Sequence, residues 1–390
     1  KADAAHPIDD LKGWLGNRLA GRTSIAYSLG RGTGIGNLDA MVISGFNTAR
    51  HSSDRFGTTT PSGIVDPSRI LADMRLIKSD AEMEALRTAC HISAAGHSEA
   101  MRFAAPGRSE RQVQAAMEYV FGAMESERIG YGSIVAGGEN ACILHYVENN
   151  QVLNDGDLLL IDAAAEFNHF TADITRTFPV NGTFTAPQRA VYELVLDTEQ
   201  RVIEMCTPGL PYDEMHREAC RILANGLVEI GLLPGSGDEA LEKGWYREFY
   251  FHGTGHWLGS DVHDAGAYRV DGGPRLLAPG MAFTVEPGVY VARHKSTVML
   301  GNAPYDPEEV MEMTLRLGLS AAKAELDKRN ESAGSTEHIV PEEFLGIGVR
   351  IEDDILITAD GYENMSIGVP VDPDEIEALC AEASSVPLFG

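Results

Sequence analysis

Residues 158–179, LLLIDAAAEFNHFTADITRTFP, constrain the fold of this chain more than any other stretch. An apolar run from Leu158 to Ile161 ends in Asp162, and a polar turn follows. A second strand-like run opens at Asp173 and continues through Ile174, Thr175, Arg176, Thr177 and Phe178. Period-two alternation sets Asp173, Thr175 and Thr177 on one face, and Ile174 and Phe178 on the other. Two strands joined by a turn bring Asp162 and Asp173 together at the edge of a core. Like charges held close repel and are costly to desolvate, so such a pair shares a proton or shares metal. Turn-flanking carboxylates bathed in water are the plainer reading of the stretch alone; the rest of the chain decides.

Composition limits the partners. A formal charge of −27, from 31 basic against 58 acidic residues, excludes nucleic acid, which demands a basic surface. No apolar run reaches the roughly 18 residues of a membrane span, so no membrane partner is expected. Cys90, Cys142, Cys206, Cys220 and Cys380 are scattered, odd in number and free of any CxxC. Disulfide scaffolds and zinc–thiolate sites are therefore disfavoured, and a reducing, cytoplasmic compartment fits. The sequence opens on Lys1, so a removed targeting segment would lie out of view.

At 390 residues the chain has room for two domains on a prior of roughly 150 residues each. Residues 1–72 mix strand-like runs (23–29 and 40–44) with a glycine-rich piece, residues 30–36, GRGTGIG. That piece misses the G-x-G-x-x-G register, so it reads as a loop rather than a dinucleotide site. The texture changes at Arg75-Leu76-Ile77-Lys78. Beyond it, Ser79 with Glu82, Ser109 with Gln112 and Thr185 with Gln188 are capping boxes that open helices. A further helix spans roughly residues 213–231. Strands are expected near residues 133–136, 157–162, 173–179, 281–291 and 348–358. Residues 73–390 thus read as an α+β domain whose helices cover one face of a curved antiparallel sheet.

Four more pieces carry chemistry. Residues 138–146, GENACILHY, are a turn leading to His145. Residues 251–264, FHGTGHWLGSDVHD, hold His252, His256 and His263 among glycines that permit close backbone approach. Glu286 precedes Pro287, which holds it extended and so on a strand. In residues 346–354, GIGVRIEDD, Arg350 and Glu352 share a face opposite Ile347, Val349 and Ile351. Singly, each has a bland explanation: a satisfied core histidine, a surface ion pair, a strand end. Together they supply four carboxylates and one imidazole, a set suited to two divalent cations.

In these pieces, residues from about 75 to 378 resemble the catalytic domain of the creatinase and methionine aminopeptidase family, which has the pita-bread fold. The likeness is greatest to its aminopeptidase P (Xaa-Pro aminopeptidase) branch. IDAAAEFNHFTADITRTFPV, HGTGHWLGSDVHDAGAY, TVEPGVY and GIGVRIEDD follow the family's order. The resemblance implies that Asp162 is a terminal ligand of one metal, that Asp173 and Glu352 bridge both, and that His256 and Glu286 complete the second. It assigns His145, His252 and His263 to the substrate pocket, with Arg350 in support. Peptides with proline second would be the substrates. Paired cations would acidify water, Glu286 would take its proton, and His263 and His252 would donate toward the developing oxyanion. Mn2+ is the first choice, with Co2+, Zn2+ or Fe2+ also suited to such ligands.

Relatives carry an N-terminal domain roughly twice as long as the part before Arg75, so residues 1–72 read as its remnant. A homo-oligomer, dimer or tetramer, is implied. Residues 293–345 read as an insertion, with Met311, Leu315, Leu319, Ala322 and Leu326 on one helical face. It is expected as a surface helix, with a lid or oligomer contact as the sharper reading. The nearest competing function is prolidase, which cleaves only Xaa-Pro dipeptides and has relatives that hydrolyse organophosphates. A catalytically silent binding protein on the same fold is a second alternative. The absence of G-x-S-x-G and of H-E-x-x-H disfavours serine hydrolases and zincins.

Overall fold

The computed structural model describes residues 4–30 and 37–387; the core of the glycine-rich piece, residues 31–36, lies outside them. The chain divides into two compact units, Lys1–Met74 and Arg75–Gly390.

In the first unit, helices Leu11–Leu19 and Leu38–Phe56 enclose a small core of Leu19, Val42, Phe46 and Ala49. Strands Ser24–Ala26 and Gly63–Val65 pair in parallel. The strand expected at 40–44 is instead part of helix Leu38–Phe56. Asn37 caps that helix by accepting a hydrogen bond from the Ala40 N–H, and Val42, Phe46 and Ala49 recur at helical spacing.

In the second unit, all three capping boxes form. They open helices α1 (Asp80–Phe103), α2 (Glu110–Ala123) and α3 (Ala186–Glu204), followed by α4 (Tyr212–Glu229). Their apolar faces bury Met101, Val113, Met117, Phe121, Val191, Val195, Leu223 and Leu227 against the strands in one continuous core. The strands that matter for the site are β1 (Ile134–Gly137), β2 (Leu158–Asp162), β3 (Thr175–Pro179), β4 (Ala282–Val285), β5 (Gly288–Val291), β6 (Ile347–Arg350) and β7 (Asp353–Ile357). They pair antiparallel, with β2 between β1 and β3, β4 on β7, and β5 on β6. An isolated bridge, Thr175 to Glu352, links β3 to the bend between β6 and β7. The unit is α+β, as expected.

Three local expectations need correction, and the first two corrections position functional residues. The run 281–291 is two strands broken at Glu286-Pro287, and 348–358 is two strands broken at Ile351-Glu352. Pro287 has no N–H to give a ladder, and the breaks face each other between the rungs Val285–Asp353 and Gly288–Arg350. Glu286 is therefore at a bend between strands, not on one. Asp173 likewise precedes β3, whose first residue, Thr175, pairs with Asp162. The polar turn before it contains its own hairpin, Ala165–Phe167 with Phe170–Thr171, turned through Asn168 and His169 at positive φ.

The third correction concerns the insertion. It is a hairpin, Thr297–Gly301 with Ser335–Ile339, carrying two helices, Pro307–Leu317 and Leu319–Ala333. Gly318 at φ +84 ends the first helix, so the single apolar face does not form. Leu315 and Leu319 are exposed, while Met313 and Ala322 are the buried positions.

Candidate metal centre

The strand ends and bends converge on one cavity of about 430 Å³. Asp162, Asp173, His256, Glu286 and Glu352 all border it, as do His145, His252, His263 and Arg350. Every candidate site residue read from the sequence therefore meets in one place. Asp162 arrives at the end of β2, Asp173 just before β3, Glu286 and Glu352 from the two facing bends, and His256 from the glycine-rich loop.

The distances are those of groups drawn toward a common centre. Ligand-type atoms of Asp173, His256 and Glu352 lie within 4.8 Å of one another. His256 Nε2 is 3.2 Å from Asp173 Oδ2 and 3.7 Å from Glu286 Oε1. The other ring nitrogen, Nδ1, donates to the Trp257 carbonyl at 3.1 Å, which fixes the ring and aims Nε2 at the carboxylates. Arg350 Nη2 donates to Asp162 Oδ2 at 2.5 Å, its Nε donates to Thr175 Oγ1, and Thr175 in turn donates to Glu352 Oε2 at 2.6 Å.

Such crowding of acids is electrostatically unfavourable by itself. Burial, then repulsion from Asp173, Glu286 and Asp162, holds Glu352 well above the usual carboxylate range. Burial likewise lifts Glu286 to about 7, against the pull of His256 and Arg350. Burial opposes charge on His256, but Asp173 and Glu286 outweigh it and raise the imidazole to about 9. Four carboxylates and one oriented imidazole thus fit a pair of divalent cations, whose charge would relieve the repulsion.

Around this cage, His252 is engaged at both nitrogens. Nδ1 donates to the Gly253 carbonyl at 2.8 Å and Nε2 accepts from Tyr290 Oη at 2.9 Å. Arg350 Nη1 donates to the same tyrosine oxygen at 3.1 Å. Burial, reinforced by Arg350, pushes His252 down to about 3, so it is neutral. His263 packs edge-on against His256, with ring centroids 4.3 Å apart, and burial lowers its pKa.

Two contributors escaped the sequence reading. Tyr131 Oη lies 2.6 Å from Asp162 Oδ1 and 2.5 Å from Asp173 Oδ1, spanning the acid pair with a single proton. Its only sequence cue is a tyrosine flanked by Gly130 and Gly132. Asp354, fully buried, accepts from the Asp173 backbone N–H at 2.9 Å and from the Cys90 thiol at 3.2 Å, fixing the chain at Asp173.

Comparison with known proteins agrees with this geometry. The pattern of metallopeptidase family M24 matches residues 84–359. A Haemophilus influenzae protein named Xaa-Pro aminopeptidase is 42% identical over 318 residues, 82% of this chain and 64% of that protein. An Escherichia coli protein of the same name is 39% identical over 345 residues, 88% of this chain and 68% of that protein. The chain thus spans about two thirds of the length of these relatives. The solved structure of Pseudomonas aeruginosa aminopeptidase PepP superposes with a TM-score of 0.83 at 39% identity, covering 97% of this chain and 76% of that one. The fold is the pita-bread fold, and the chain belongs to metallopeptidase family M24.

Proposed function

We propose that this chain is a metallo-exopeptidase, an aminopeptidase that hydrolyses the first bond of peptides with proline in second place. The observation that carries this reading is the convergence of Asp162, Asp173, His256, Glu286 and Glu352 on one cavity that His145, His252 and His263 also border. The names of the relatives support the choice of substrate.

On this reading Asp162, Asp173, His256, Glu286 and Glu352 would hold the two cations, Asp162 serving one and His256 and Glu286 the other. Mn2+ is the first choice, because four carboxylates and one imidazole make a hard donor set; Co2+, Zn2+ and Fe2+ are compatible. When bound, divalent cations would acidify water, against a bulk pKa of about 15.7, and polarise a carbonyl. Glu286 takes the proton of the attacking water and returns it to the leaving proline nitrogen. His263 donates toward the carbonyl oxygen as negative charge gathers there. His252, engaged at both nitrogens, braces the wall through Tyr290 and Arg350, while Arg350 holds Asp162 in place. His145 borders the cavity as well, and Leu144, Val147 and Val262 give it apolar walls. The free α-amine of the peptide is received near Asp162, which restricts cleavage to the first bond.

The five cysteines are free thiols, in keeping with a cytoplasmic setting, and we expect a dimer or tetramer. Among the described residues no helix is long and apolar enough to cross a membrane. The test is hydrolysis of Xaa-Pro against Xaa-Pro-Yaa peptides by EDTA-stripped protein before and after Mn2+ is added. Mn2+-dependent release from the longer peptide is expected. Cleavage of the dipeptide alone would make the chain a dipeptidase, and cleavage of neither a binding protein.

A further inference from the structure

The Arg75–Lys78 segment, where the sequence changes texture, is packed against the loop that carries His256 and His263. The Lys78 side chain is only 1% exposed, as is that of Asp264, and Nζ meets Oδ2 at 3.0 Å. Lys78 Nζ also donates to the Arg75 carbonyl at 2.8 Å. Arg75 Nη2 faces the same loop at three points. It lies 2.7 Å from Ser260 Oγ and 2.7 Å from Asp261 Oδ2, and it contacts Asp264 Oδ1. The Asp264 N–H closes the loop by donating to the Trp257 carbonyl at 2.8 Å. A Cβ on Gly259 would come within 2.2 Å of Asp264 Oδ2 and 3.1 Å of Lys78 Nζ, so the fit tolerates only glycine there. The backbone of the segment grips a second site-bearing element. Lys78 N–H donates to the Gly280 carbonyl at 2.8 Å, in the turn that leads into β4 and so to Glu286.

A lysine–aspartate pair sealed from water contributes little net stability, since an apolar pair of the same volume would serve as well. What such a pair does supply is a fixed direction. We propose that Lys78 and Asp264, with Arg75, are positioning residues: they fix the loop 256–264 and thereby the seat of His256 and the angle of His263. This inference rests on the hydrolytic reading above, and its test is chosen to be separable from that reading.

Histidine rings labelled with ¹⁵N in the metal-free protein report the loop directly. Lys78→Met keeps the volume and removes the charge, Asp264→Asn keeps the shape, and Lys78→Arg restores a cation. Val191→Ala, a core position on α3, controls for lost stability. Lys78→Met and Asp264→Asn are expected to move the ring signals of His256 and His263, leaving that of His51 in place. After Mn2+ loading, kcat on an Xaa-Pro-Yaa peptide should fall about tenfold with KM changed less than about twofold. Lys78→Arg should recover most of this, and Val191→Ala should show none of it. Ring signals that coincide with the wild type in both charge-removing variants overturn the inference, as does an equal loss in Val191→Ala. Should Lys78→Met fail to fold, Asp264→Asn and Lys78→Arg decide by the same signals. A wild type without peptidase activity would sink the proposed function, while the ring signals would still judge the loop.

Discussion

Replacing Arg176 with methionine should cost this protein about 4 kcal/mol of stability. The guanidinium is fully buried and donates to four acceptors: the Asp353 carboxylate at 2.6 Å and the carbonyls of Glu352, Thr175 and Val369 at 2.8, 3.0 and 3.2 Å. Methionine fills much of the volume but leaves Asp353 as a buried carboxylate with Asn364 Nδ2, at 2.5 Å, among its few remaining donors. Removing one partner of a buried pair costs roughly 3–5 kcal/mol, because the other charge is left uncompensated. The double variant Arg176→Met/Asp353→Leu removes both charges and should regain about half of the loss or more. Urea unfolding followed by fluorescence on a Trp14→Phe background confines the signal to Trp245 and Trp257, both in the larger unit. The midpoint shift at constant slope gives the energy. A single variant that loses under about 1 kcal/mol, or a double variant no better than the single, would refute this account of the buried pair.

Glu352→Gln and Asp173→Asn should each bind less Mn2+ than the wild type by calorimetry, with activity down by about a hundredfold or more, whereas Asp353→Asn should keep its metal. His97 is fully buried, and burial lowers it to about 4 although Nε2 donates to the Ala163 carbonyl at 2.8 Å. Its folded pKa lies below its unfolded value, so the stability it permits is present above pH about 6.5 and is lost as pH falls toward 4. The loss is about 3 kcal/mol, and a His97→Leu variant should lack that component of the pH profile in urea titrations. Among the described residues bordering the cavity, none comes from 302–334. Excising that stretch and closing Gly301 to Ser335 with a short turn should therefore leave peptide-length preference unchanged in a competition assay.

Local signals were legible and long-range ones were not. Ser79 with Glu82 announces a helix start because cap and partner sit one turn apart, and the hydrogen bonds form. The metal-centre residues were legible through wording that resembles a family, since no periodicity places Asp162 beside Glu352. Residues 40–44 misled because a short apolar run does not distinguish strand from helix; the Asn37 cap decides it. Residues 307–330 misled because heptad-like spacing ran on across Gly318, where the backbone turns away. Tyr131 stayed hidden because its contacts are 31 and 42 residues distant, and the role of Lys78 because Asp264 lies 186 residues on.

The rung between Val291 and Ile347 has one more implication. The chain departs from β5 and rejoins β6 at opposite positions of that rung, where paired Cα atoms are about 5 Å apart. Whatever is carried between them is a cassette plugged into two adjacent sockets, and the metal cage is indifferent to its length. The hairpin stem keeps Val298, Leu300 and Val340 in the core, so a foreign domain with closely spaced termini, grafted beyond it in place of residues 302–334 between the paired Gly301 and Ser335, would ride on the larger unit, making this stem the natural port for a sensor or a tether.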